Sequence, residues 1–147
     1  MEKLIFDNGI KEYEVNGNGV LRFNPSDPNL YARFLGANDK IRAIEEELLK
    51  QGEDGEDNET AGARVLRQME AADKKMKALL SDIFGAGNDF DKILDGVNLL
   101  AVASNGERVI NNLMDALAPI MSAGAKACAG EKVEQAKQNR AKRRANK

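Results

Sequence analysis

Apolar residues along this 147-residue chain change period from one stretch to the next, and each change marks an element. Residues 1–24 hold LIF, IKEYEV and VLRF, separated by Asn8-Gly9 and by Asn16-Gly17-Asn18-Gly19. Asn-Gly favours φ > 0 at both central positions, as a tight hairpin turn requires, so these segments predict an antiparallel β-meander. In the middle strand Lys11, Tyr13 and Val15 share one face and Glu12 and Glu14 the other. So small a sheet is not stable alone and must lean on the rest of the chain.

At FNPSDPNLYARF the period lengthens. Asp27 before Pro28 reads as an N-cap followed by proline at the first helical position. Leu30, Phe34, Ala37, Ile41, Ile44 and Leu48 then step by four and three, which predicts a helix over residues 28–51. Gly36 weakens it by about 1 kcal/mol relative to alanine. Residues 52–59, GEDGEDNE, read as a solvated loop. The same stepping resumes in Val65, Met69, Ala72, Met76, Leu79 and Ile83. Two helices of similar length, each with one apolar stripe, fold most simply into an antiparallel αα-hairpin; pairing of the stripes between chains is the alternative.

Gly85 and Gly87 end the second helix, and Asn88 is placed to cap a short one carrying Phe90, Ile93 and Leu94, which Gly96 closes. VNLLAVAS has no clear period and reads as a buried connection holding a strand or a turn of helix. Ser104 and Glu107 have capping-box spacing, which predicts the start of the last helix there. Its apolar face is Val109, Ile110, Leu113, Met114, Leu117, Ile120 and Met121, and Pro119 within it predicts a kink. The expected fold is therefore a predominantly helical α+β domain over residues 1–130: a β-meander, an αα-hairpin, a short helix and a kinked C-terminal helix. Residues 131–147 have no apolar face to bury and read as a basic tail, either a solvated helical extension or disordered and mobile.

Composition narrows the chemistry. There is no His, no Trp and one Cys, which excludes His-dependent triads, His-ligated zinc or haem, and intramolecular disulfides. Cys128, in AGAKACAG, reads as a small packing residue. The acidic run of residues 53–57 lacks the order of a Ca²⁺ loop, FGAGN fails both nucleotide fingerprints, and no serine sits in GxSxG. No catalytic, cofactor-binding or metal-ligating set emerges, and the expectation is a non-enzymatic protein without cofactor. MEKLIFDNG does not look like a signal peptide, and no segment has the roughly 20 apolar residues that a bilayer needs, so no membrane association is expected.

The net charge of −2 hides an asymmetry. Residues 131–147 carry seven Lys or Arg against two Glu, so the tail is +5 and residues 1–130 are −7. Lys137, Arg140, Lys142, Arg143 and Arg144 are the candidate partner-binding residues, suited to phosphates or to an acidic protein surface. No aromatic residue interleaves with them, which disfavours stacking on single-stranded bases.

Three segments, LIFDNGIKEYEVNGNGVLRFNPSDPNLYARF, FGAGNDFDKILDGVNLL and SNGERVINNLMDALAPIM, carry a resemblance covering about residues 1–125. In this order and spacing the chain resembles the tail assembly chaperones of long-tailed bacteriophages and prophages of Gram-positive bacteria. The resemblance implies a non-enzymatic role in the host cytoplasm. Such a protein coats the tape measure protein, helps tail tube protein polymerise around it, and is absent from the mature virion. The methionines of the apolar seams, Met69, Met76, Met114 and Met121, would offer adaptable contacts to a helical partner, or else belong to the core. A homo-oligomer is compatible with this role. The alternatives are a small nucleic-acid-binding or regulatory protein using the tail, and a structural tail component retained in the particle.

Overall fold

A computed structural model describes residues 1–52 and 58–146. The chain is a predominantly helical α+β fold: β1 (Lys11–Val15), β2 (Gly19–Phe23), α1 (Pro28–Gly52), α2 (Asn58–Phe84), α3 (Phe90–Ile93) and α4 (Val109–Lys126), then a π-helical turn (Ala127–Glu131) and α5 (Lys132–Ala145). Most of the acidic loop expected at residues 52–59 lies outside the described residues.

The strands form a hairpin in which Tyr13 pairs with Leu21 and Lys11 with Phe23. Asn16 and Gly17 take φ values of 52° and 74°, as the Asn-Gly signal requires. The expected meander is corrected to two strands, because residues 1–10 stay outside the sheet and exposed. Leu21 and Phe23 face the core, and Tyr13 stacks on Phe23 with ring centroids 4.9 Å apart. Phe84 meets Phe23 edge-on at 5.0 Å, which joins the hairpin to α2.

α1 begins where Asp27-Pro28 predicts: Asp27 Oδ1 accepts from Asn29 N at 2.9 Å. Leu30, Phe34, Ala37 and Ile41 are buried, and Ile44 and Leu48 pack against the same core. The stripes of α1 and α2 meet within one chain as an αα-hairpin. Arg33 reaches across to the carbonyl of Ile83 through Nε (3.1 Å) and Nη2 (3.0 Å), satisfying an acceptor at the C-terminal end of α2. On α2 Leu80 is fully buried, as Met76 is, whereas Leu79 is half-buried. The reason is that α2 packs on α1 with one side and supports α3 and residues 98–100 with another, so its apolar face is wider than one seam.

The cap of α3 is also corrected. Asp89, rather than Asn88, accepts from Asp91 N and Lys92 N. Asn88 is instead buried beside β2. The capping box at Ser104 is not formed: residues 103–107 make a turn, Asn105 Oδ1 accepts from Glu107 N, and α4 starts at Val109 after Arg108, which makes no side-chain cap bond. VNLLAVAS forms turns, with a single bridge between Val102 and Arg108 and with Leu99 and Leu100 buried. α4 continues through Pro119 and buries Ile110, Met114, Leu117, Met121 and Gly124.

A small ionic hub fastens α2 to the segments that follow it. Lys77 Nζ lies 2.9 Å from Asp73 Oδ2 and 2.7 Å from Asp91 Oδ1, with the Lys77 and Asp73 side chains each 11% exposed. The other Asp73 oxygen accepts from Leu99 N at 2.8 Å. Burial alone would push Lys77 down, but hydrogen bonds and charge from Asp91 and Asp73 outweigh it and hold the ammonium above its ordinary 10.5. The hydrogen bond from Lys77, followed by its charge, holds Asp91 below the ordinary 3.8. A raised lysine stabilises the fold below its unfolded value and loses that contribution as pH climbs through the folded one; a lowered carboxyl stabilises above its unfolded value and loses its share as pH falls. Lys77→Met is therefore expected to cost about 1–2 kcal/mol near neutral pH, less than a fully buried pair would. Urea titrations should show the gap from wild type closing above pH 10.5 and below pH 3.8; a gap of constant size across pH would refute the hub.

Candidate partner-binding surface

The five basic residues singled out in the sequence all lie on α5 and are all exposed. The helix forms because Glu, Gln, Ala, Lys and Arg fill it without a glycine, proline or β-branched run. Among the described residues its main contacts are with the π-helical turn that joins it to α4, and residues 136–146 are exposed. It is thus the helical form of the two considered for the tail, an extension of α4 about 21 Å long at the ordinary helical rise.

Helical spacing sorts the cations. At about 100° per residue Lys137, Arg140 and Arg144 fall within roughly 60° of one another, along about 10 Å of helix. Arg143 flanks this stripe and Lys142 projects from a different side. Among the described residues no ion pair neutralises the five. The stripe can neutralise a row of negative groups on an extended partner. None of its sequence neighbours on the helix is aromatic.

Comparison of the chain with protein-family models, with curated proteins and with solved structures found no match. The surface must therefore be read from its own chemistry. Among the described residues no helix is long and apolar enough to cross a membrane, and no three His, Cys, Asp or Glu side chains stand together as a metal site. Cys128 is a free, half-buried thiol in the π-helical turn. FGAGN is the stop of α2: Gly85 takes φ +112° and donates to Ser81 O at 2.8 Å.

The methionines do not form a groove. Met76 and Met121 are fully buried, Met114 nearly so, and Met69 is half-buried against the same cluster. Of the two readings open in the sequence, the core reading holds for these four. Large apolar side chains left uncovered lie elsewhere, among them Leu35, Leu49 and Leu66 on the helical hairpin, Val97 and Val102 in the connection, and Leu4, Ile5 and Phe6 at the N-terminus. Periodicity does not single out Leu35, Leu49 and Leu66, because each sits off the stripe that defines its helix, and the connection has no period to read. The N-terminal trio was legible only as a strand that would have been paired.

Proposed function

We propose that this protein is a non-enzymatic assembly chaperone of a long-tailed bacteriophage or prophage, which binds the tape measure protein and promotes tail tube assembly in the host cytoplasm. The observation that carries this reading is α5: a basic helix exposed along residues 136–146, displayed beyond a body of opposite net charge. Such a helix offers side-chain contacts to a long helical partner without committing a core to it. The resemblance of the opening, FGAGND and SNGERV segments supports the same role.

The test is co-expression with a tape measure protein. The chaperone should keep that protein soluble and co-purify with it, and no complex under any condition would sink the proposal. Reversing the stripe with Lys137→Glu, Arg140→Glu and Arg144→Glu is expected to reduce the retained partner about tenfold or more, since close charge pairs across an interface are worth about 1.5 kcal/mol or more. Thermal stability should shift little, because exposed substitutions cost within about 0.5 kcal/mol each. Retention unchanged by the triple substitution would place the contact elsewhere.

The Lys137, Arg140 and Arg144 stripe also favours a second reading, in which the helix binds nucleic acid. Three phosphate contacts would make log K fall with log salt at a slope of about −2.7 on duplex DNA. Deleting residues 137–147 should abolish that binding. Presence of the protein in purified virions would instead favour a retained tail component.

A further inference from the structure

The largest unbalanced feature of the molecule is its N-terminal arm. Leu4, Ile5 and Phe6 are 88%, 85% and 71% exposed, three consecutive large apolar side chains with almost no cover. The adjoining Asn8-Gly9 is a two-residue hairpin signal, but the turn stands open here. Gly9 takes φ +75°, Asp7 Oδ1 accepts from Gly9 N at 2.8 Å, and Asn8 Oδ1 accepts from Ile10 N at 3.1 Å. Asn24 Nδ2 donates to Asn8 O at 2.9 Å, tethering the turn to the end of β2 instead of letting residues 2–7 fold over β1. Among the described residues β1 consequently pairs with β2 alone, and its other edge presents alternate N–H and C=O groups without a strand.

The arm and that edge complement each other in detail. A two-residue turn at Asn8-Gly9 sets Phe6 opposite Lys11, Ile5 opposite Glu12, Leu4 opposite Tyr13 and Lys3 opposite Glu14. Leu4 and Phe6 then fall on the side of Tyr13 and Val15, the half-buried face of the hairpin, and extend the apolar surface where Tyr13 stacks on Phe23. Lys3 meets Glu14 on the exposed face as an opposite-charge pair. In the single chain the arm lies off its own β1, with Asn8 held at Asn24, which leaves that edge free for the same strand from a second copy.

We infer that residues 2–7 are an exchanged β-arm, which pairs antiparallel with β1 of a second copy of this chain to make a reciprocal two-fold dimer. Each half then has a three-stranded sheet, the size at which such a sheet gains independent stability. The exchange uses contacts specified by the chain itself, which is why the occupant is a second copy and not an unrelated strand.

Cysteine trapping in the full-length chain tests this. In a Cys128→Ser background, Lys3→Cys with Glu14→Cys should cross-link between chains on mild oxidation and run as a covalent dimer on a non-reducing gel. A product closed only within one chain, or none, overturns the inference. Light scattering should give wild type twice the chain mass, whereas Leu4→Asp with Phe6→Asp should be monomeric with unchanged helical circular dichroism, because both residues are exposed in the single chain. Lys3→Glu and Glu14→Lys should each weaken the dimer about threefold, and the double exchange should restore it. A wild-type protein that is monomeric at every concentration, or charge effects that simply add, would equally refute the arm.

Discussion

Gly124→Val is expected to destabilise the fold by about 3 kcal/mol or more, lowering the melting temperature by roughly 6–12 °C for a chain of this size. Gly124 is buried on α4, and a Cβ built there collides with the carbonyl oxygen and carbon of Pro25. No rotamer change relieves a contact of this kind, because both partners are backbone. Pro25 also sits at a fixed junction. Asn24 Oδ1 accepts from Ser26 N at 2.8 Å, and Asp27 N donates to Asn24 O at 3.2 Å, so moving Pro25 disturbs both the end of β2 and the cap of α1. The control is Gly62→Ala on α2, where a Cβ meets nothing within 4 Å and helix propensity should contribute about 0.5–1 kcal/mol of added stability. Melting of Gly124→Val within two degrees of wild type would show that α4 does not press on this junction.

Asn88→Leu should cost about 3 kcal/mol by a different route, loss of polar partners inside the structure. The Asn88 amide works as a strand would on the outer edge of β2: Oδ1 accepts from Arg22 N at 2.8 Å, and Nδ2 donates to Arg22 O at 2.9 Å. The same Nδ2 also donates to Phe84 O at 3.0 Å, capping α2. One side chain thus ties hairpin, helix end and turn, and a leucine of similar size strands three backbone groups. Asn88→Asp is expected to be worse than Asn88→Leu at neutral pH, because it sets a carboxylate against two carbonyl oxygens. Its pKa should rise above the ordinary aspartate range, so the fold regains stability as pH falls and the acid becomes a donor again. Denaturant titrations from pH 7 downward read this sign directly, and an Asn88→Asp protein that loses stability faster than wild type on acidification would contradict the arrangement.

Asn88 also shows where reading the chain stops. As a residue after Gly87 and before an apolar triplet it has the credentials of a helix cap, yet the neighbouring Asp89 caps α3. Both can cap; the choice depends on β2 lying within hydrogen-bonding distance, and β2 is 66 residues away in sequence. Ser104 and Glu107 fail for a related reason. Their spacing fits a capping box, but the carbonyls of Leu99 and Ala101 accept from Ile110 N and Val109 N, which draws that stretch into a turn and delays α4 to Val109. The basic surface fared otherwise. Lys137, Arg140, Lys142, Arg143 and Arg144 were legible as a group from charge alone, because a segment without an apolar face has nothing to bury and stays exposed. Which of them form a stripe required knowing that the segment is helical.

What sequence alone determined, then, is whatever rests on short-range geometry: the Asn16-Gly17 turn, the start of α1 at Pro28, the apolar seams of α1 and α4, the predominantly helical α+β class and the exposed basic end. These follow from turn φ preferences, capping and a 3.6-residue period, each decided by neighbours a few positions apart. The tertiary structure alone decided that the seams of α1 and α2 meet within one chain, that Leu80 is buried in place of Leu79, that Asn88 serves β2, that the methionines are core, and that Leu4, Ile5 and Phe6 have no strand beside them. Each of those depends on which distant surface arrives to compete for a side chain, and no local pattern encodes that.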